Sequence, residues 1–167
     1  YNPQRELLTA SLNALNEQVD EIFLGDNSVN MPDFITTLLN LYPNTYYHSF
    51  NKNLGIAEAQ NRGIIYFQKK GFDFVLFMDQ DSLAPNNLVS SLLADYNRLK
   101  EIGIPIGGIG PRPFNRGEGK PYVGAVKKGK LILPKITEVG EIISSASLIP
   151  IPHFKQVGGM ESSLFID

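Results

Sequence analysis

Phe74-Val-Leu-Phe-Met-Asp79-Gln-Asp81-Ser82 decides how the rest of the chain is read. Five apolar residues in a row, with Gly71 upstream and Pro85 downstream, are the pattern of a strand covered on both faces, as in a parallel sheet flanked by helices. Two carboxylates, one residue apart, follow at the strand's exit. An ionised carboxylate is costly to bury without a partner, so a pair this close to a core strand needs water or a cation. A solvated turn that caps the next helix has the same pattern, and an Asp-x-Asp alone does not separate the two readings.

Upstream of this stretch, strands and helices alternate. Asn2 as N-cap and Pro3 at the first helical position start a helix to about residue 17, with Leu7, Leu8, Leu12 and Leu15 on one face. Glu21-Ile-Phe-Leu24 reads as a strand running into the polar turn Gly25-Asp26-Asn27-Ser28. Pro32 opens a second helix with Phe34, Ile35, Leu38 and Leu39 inward, and Thr45 to Phe50 is an aromatic strand on the outside of the sheet. After the loop Asn51-Lys-Asn53-Leu-Gly55, a helix runs to about Lys70 and closes at Gly71, where left-handed geometry is wanted. Ile56, Ala59, Gly63 and Phe67 form its packed stripe. Gly63 costs about 1 kcal/mol relative to Ala inside a helix, so its presence predicts a close neighbour.

Downstream, Pro85 starts a helix with the stripe Leu88, Val89, Leu92, Leu93, Tyr96 and Leu99. This alternation builds an α/β fold with a parallel sheet. Ile104 to Ile109 is expected to add a strand. Beyond Pro111 the texture turns basic and rich in Gly and Pro. The expectations there are a mobile loop over 112–120 and a hairpin from Tyr122–Val126 to Leu131–Leu133 turning at Gly129. They continue with a last strand over 141–150, a helical turn over Pro152–Val157, and a hinge or tight turn at Gly158-Gly159. The Lys127-Lys-Gly-Lys130 cluster reads either as a solvated hairpin or as a rim attracting phosphate or lipid-linked diphosphate.

With 167 residues, 43% hydrophobic and 19% charged, the chain can bury the core of one domain without staples. A net charge of -2 gives no global field favouring nucleic acid, so any anion must be met by local groups. The absence of Cys removes disulfides and thiolate metal sites and fits a reducing compartment. No apolar run approaches the roughly 20 residues of a membrane span and no signal peptide is visible, which predicts a soluble, cytoplasmic domain with no transmembrane segment.

In an open parallel sheet, ligands bind beyond the carboxyl ends of the strands. Asp26 ends one strand and Asp79/Asp81 end another, so these acids are expected on one edge. A hard cation such as Mg²⁺ takes one or two carboxylates and completes its shell with water and substrate phosphates. The pair therefore suits a metal held together with a diphosphate. An EF-hand is excluded because its fifth, sixth and twelfth places, counted from Asp79, hold Leu83, Ala84 and Ser90. No phosphate-binding P-loop, dinucleotide fingerprint or zinc-protease motif is present, and His48 and His153 read as surface residues.

Taken together, Tyr1-Asn2, Gly25-Asp26-Asn27-Ser28, Asn53-Leu-Gly-Ile-Ala57 with Gln60-Asn61-Arg-Gly63, Asp79-Gln-Asp81-Ser82 and Leu164-Phe-Ile-Asp167 resemble the ordered signature of family 2 glycosyltransferases, nearest their rhamnosyltransferase branch. The resemblance implies a single GT-A domain, a Rossmann-like mostly parallel sheet flanked by helices with a small β-hairpin region in the C-terminal half. Residues 1–111 would be the nucleotide-sugar-binding half and 112–167 an incomplete acceptor-side half. Tyr1 would stack on the base and Asp26 hydrogen-bond it, with Asn2, Asn27, Asn53, Gly55, Asn61 and Asp79 completing the nucleotide-sugar site. Asp81 with Asp79 would hold Mg²⁺ or Mn²⁺. The implied reaction is inverting transfer of a sugar, rhamnose in this branch, from a dTDP-, UDP- or GDP-sugar to a cell-surface polysaccharide or lipid-linked glycan. This is polysaccharide biosynthesis at the inner face of a membrane, by peripheral association.

Relatives carry a strand before Tyr-Asn in the centre of the sheet, and their catalytic base follows Phe-Ile-Asp. Both ends of this chain therefore read as cut. Asp167 is the candidate catalytic residue within the chain, the true base is expected beyond it, and these residues alone are expected to be inactive. Ala146 stands where relatives often have Gly. Two alternatives remain: a non-catalytic nucleotide- or glycan-binding domain of the same fold, and a sugar-nucleotide nucleotidyltransferase. The latter would want a Gly-rich, basic loop that Asn2-Pro3-Gln4-Arg5 does not supply.

Overall fold

A computed structural model of the chain describes residues 1–112, 114–115, 120–121 and 129–163. Helix α1 (Arg5–Leu15) buries Leu8, Leu12 and Leu15, the stripe set by their three- and four-residue spacing. Next come β1 (Ile22–Asp26), α2 (Ile35–Leu41) and β2 (Thr45–Ser49), a crossover unit whose strands pair in parallel from Ile22 opposite Thr45 to Asp26 opposite Ser49. Among the described residues β1 and β2 pair with each other alone, as a two-stranded sheet.

Helix α3 (Ile56–Lys70) lies between Gly55 and Gly71, both at positive φ, 76° and 79°. The expected close neighbour of Gly63 is Phe23, whose ring would stand 3.2 Å from a Cβ built there. Strand β3 (Phe74–Leu76) is shorter than its apolar run, yet the run alternates as a strand buried on both faces should. Phe74, Leu76 and Met78 pack with Leu15, Leu88, Leu92 and Leu148, while Val75 and Phe77 pack with Ile64, Ile151 and Phe154. Helix α4 (Leu88–Glu101) follows, and Gln18 ties α1 to its start, donating to the Pro85 carbonyl at 2.9 Å and accepting from the Val89 N–H at 3.2 Å.

The C-terminal half holds short antiparallel pairs. β4 (Phe114–Asn115) pairs with β5 (Lys120–Pro121), and β6 (Lys130–Leu133) with β7 (Ile136–Glu138). The hairpin β6–β7 turns at Pro134-Lys135, with Lys135 at φ 71°, while the first strand of the hairpin expected around Gly129 lies outside the described residues. Gly129 answers a demand for space: a Cβ there would fall 2.4 Å from Thr137 Cγ2 and 2.6 Å from the Glu138 carbonyl. Residues 122–128 and most of 112–120 lie outside the described residues. The strand expected over 104–109 reduces to a single bridge between Ile109 and Leu148. Of the strand expected over 141–150, only β8 (Leu148–Pro150) forms, antiparallel to β3, and it passes directly into α5 (Ile151–Val157). Ser144–Ser147 forms a turn instead, with Ala146 left-handed at φ 63°.

One apolar cluster, Leu8, Leu12, Ile35, Leu38 and Tyr42, covers the face of β1 that carries Ile22 and Leu24. Ile35 is fully buried, and its truncation to Ala would cost about 2–5 kcal/mol. β1 and β3 do not pair with one another. Between them opens a cleft lined by Ile22 to Asn27 on one side and Phe74 to Asp81 on the other, where the resemblance puts a central strand. Among the described residues no helix is long and apolar enough to cross a membrane.

Candidate active site

Asp26 is the last residue of β1 and only 5% exposed. Its carboxylate is met on both oxygens: the Ser28 N–H donates to Oδ1 at 2.8 Å and the Tyr47 hydroxyl to Oδ2 at 2.9 Å. Burial, together with the hydrogen bond to Asp26 and its charge, pushes the Tyr47 hydroxyl up to about 12. Ser28 in turn accepts from the Asn2 N–H at 2.7 Å, which draws the start of the chain onto this turn. Asn27 holds the next loop, donating to the Gly55 carbonyl and accepting from the Leu54 N–H, each at 3.2 Å. Asn53 Oδ1 accepts from the Gly55 N–H at 2.9 Å. The 26–28 turn and the 53–55 loop are thus one hydrogen-bonded unit at the head of α3.

Across the cleft, the 79–82 turn closes with the Ser82 N–H on the Asp79 carbonyl at 3.1 Å. The Asp79 N–H donates to Ser145 Oγ at 3.1 Å, and that hydroxyl also reaches Ser82 Oγ at 3.0 Å. Ser145 is placed by the 144–147 turn, whose Ala146 N–H meets the Phe77 carbonyl at 2.7 Å and whose Ser147 carbonyl accepts from the Phe77 N–H at 3.0 Å. Asp79 is half-buried. Burial raises its carboxyl above the ordinary value, Ser145 pulls it back, and the Asp81 charge adds to the rise. Asp81 itself is exposed.

Tyr1, Asp26, Asn27, Asn53, Asp79 and Asp81 line the same cleft. Its depth, between β1 and β3, is lined by apolar side chains such as Leu24 and Val75; Asp26, Asn27, Asp79 and Asp81 line it where the strands end, and Gln18, Asp20, Glu21 and Asp73 line it where they begin. Of the other sequence-predicted residues, Asn2 and Gly55 reach the site through backbone contacts, Asn2 to Ser28 and Gly55 to Asn27 and Asn53. Asn61 is placed differently from its expected role. It does not line the cleft, and its amide is engaged with the backbone of Met160. Asp167 lies outside the described residues. Tyr47 and Ser145 are contributions the sequence reading missed. For Tyr47 a signal existed, because the alternation in β2 puts it with Thr45 and Ser49, opposite Tyr46 and His48. Ser145 has none, since it meets Asp79 across 66 residues through a turn.

Among the described residues no group of three or more His, Cys, Asp or Glu could enclose a metal by itself. The donor set that is present, two carboxylates one residue apart in one turn with Asp79 half-buried and Asp81 exposed, fits a cation that shares its shell with phosphate oxygens.

The sequence profile described as Glycosyl transferase family 2 matches residues 1–143. The chain is 30% identical over 175 aligned positions to the dTDP-rhamnosyl transferase RfbF of Shigella flexneri, an alignment that covers 100% of this chain and 57% of that protein. In fold it is similar to S. aureus TarS, with a TM-score of 0.66 at 16% identity over 96% of this chain and 48% of the other. The chain thus spans about half the length of these relatives. The α/β architecture is that of a GT-A fold. The matched profile covers most of the chain, including the Asp26 turn, the Asn53 loop and the Asp79–Asp81 pair, and on that ground the chain belongs to glycosyl transferase family 2.

Proposed function

We propose that the chain forms the donor side of an inverting glycosyltransferase that moves a sugar from a nucleoside-diphosphate carrier to a glycan or lipid-linked acceptor. The observation that carries this reading is the shared mouth of the cleft, where Asp26, Asn27 and Asn53 stand on one side and Asp79 and Asp81 on the other. Tyr1 and the 26–28 turn take the nucleoside. Asp79 lies toward the donor sugar, and Asp81 with Asp79 would hold Mg²⁺ or Mn²⁺ against the diphosphate. A divalent cation bound there neutralises charge on the departing diphosphate.

In the transfer, an acceptor hydroxyl oxygen bonds to the anomeric carbon as the bond to the diphosphate oxygen breaks. The electron pair leaves with the nucleoside diphosphate, and the hydroxyl proton passes to a carboxylate base on the acceptor side. Asp167 belongs to the segment where that base is sought. The name of the Shigella flexneri relative supports dTDP as the nucleotide and rhamnose as the sugar. Calorimetric titration of the full-length protein with dTDP-, UDP- and GDP-sugars, with and without Mn²⁺, tests the reading. It predicts metal-dependent binding of one class, and folded protein that binds none of them would overturn it.

A further inference from the structure

Asn61 sits in α3, and its amide pairs with both backbone groups of Met160. Oδ1 accepts from the Met160 N–H at 2.7 Å, and Nδ2 donates to the Met160 carbonyl at 2.9 Å. A neighbouring strand would give one residue the same two bonds. The chain leaving α5 is shaped to receive them. Gly158 and Gly159 have φ of 85° and 94°, which turns the backbone back toward α3. A Cβ on Gly159 would stand 2.7 Å from Asn61 Oδ1, so a side chain there would strain the backbone and displace the Asn61 amide.

The contact joins residues 99 apart in sequence. It also continues a chain of contacts that begins at the candidate site. Asn27 grips Leu54 and Gly55 at the head of α3, and Asn61 grips Met160 farther along the same helix. At about 1.5 Å per residue, the two grips are about 9 Å apart along one rigid element. Met160 is therefore anchored at a fixed distance from the loop that lines the cleft.

We infer that Asn61 is a positioning residue, a latch that fixes the segment after α5 against the donor-side helix so that acceptor-side groups keep their placement relative to the bound donor. The inference rests on the glycosyltransferase reading. It assigns Asn61 no contact with the nucleotide, and it makes Gly159 the matching half of the latch.

The test uses the full-length protein with Asn61→Ala and Gly159→Ala, singly and together. Affinity for dTDP in the presence of Mn²⁺ stays within about twofold of wild type, whereas kcat for sugar transfer falls about tenfold or more, because misplacement by about 1 Å is enough to do so. The double variant is no worse than the poorer single one, since both changes break the same contact. Hydrogen exchange at the Met160 amide is slow in wild type and fast in each variant. That wild-type measurement needs no variant to fold, and exchange at the rate of an unprotected loop amide would overturn the latch. A loss of dTDP affinity with unchanged kcat would make Asn61 a ligand and overturn the inference, as would additive effects of the two changes. Wild-type protein that binds no nucleotide would refute the glycosyltransferase reading, while Met160 exchange still decides the latch.

Discussion

The Tyr47 hydroxyl, on the strand parallel to β1, donates to Asp26 Oδ2 at 2.9 Å and completes the coordination of a carboxylate that is 5% exposed. Asp26 thereby orders its own turn, because its other oxygen takes the Ser28 N–H. Removing the hydroxyl leaves a buried charge one donor short. Tyr47→Phe should lower stability by about 1.5–3 kcal/mol, the range for hydrogen bonds to charged groups. Urea denaturation checks this, and an unchanged midpoint would contradict it.

The same pair gives a pH dependence with a definite sign. The Tyr47 hydroxyl is held up to about 12 in the fold by burial and by Asp26, against an unfolded value of about 10. The folded chain therefore holds this proton more tightly than the unfolded chain. Its contribution is complete below about pH 10 and is lost as pH climbs from about 10 to about 12. The stability difference between wild type and Tyr47→Phe should shrink across that window, and a difference that stays constant there would count against the assignment.

Ser145→Ala removes the acceptor for the Asp79 N–H and the link to Ser82. About 1 kcal/mol of stability should go with it, and a loosened turn should weaken Mn²⁺-dependent dTDP binding about threefold to tenfold. Calorimetry on the variant measures both the affinity and its metal dependence. Full affinity would show that the turn keeps its shape without Ser145.

Ala146 occupies a left-handed backbone position at φ 63° in the turn that carries Ser145. Gly adopts that conformation without strain, so Ala146→Gly should raise stability by about 0.5–1 kcal/mol. A lower melting temperature would mean that the Ala methyl packs more favourably than the backbone strain costs.

The β1–α2–β2 unit, α3 with its two flanking glycines, and the two-faced burial of residues 74–78 were legible because each rests on local periodicity or a local cap. So was the meeting of Asp26, Asn53, Asp79 and Asp81, since strand ends in such a sheet share an edge. What the sequence hid depends on contacts between distant segments. β8 is antiparallel to β3 and only three residues long, and nothing in Leu148–Pro150 announces its direction. The Ile104–Ile109 run looked like a strand because it is apolar, yet only Ile109 finds a partner in Leu148. Gly129 is a point of close approach to Thr137 and Glu138, a demand for glycine that depends on residues eight and nine positions away. Asn61 looked like a ligand because its helix begins at the cleft, whereas its side chain turns toward Met160.

The proposed function requires Asp79 and Asp81 to hold a divalent cation together with a nucleoside diphosphate. The direct test is dTDP affinity in full-length wild type and Asp81→Asn, each with Mn²⁺ and with chelator. Wild type should bind at least about tenfold more tightly with Mn²⁺, and Asp81→Asn should lose most of that enhancement while keeping the chelator-limited affinity. If Asp81→Asn shows the same Mn²⁺ enhancement as wild type, the cation is held elsewhere and the account of this site is wrong.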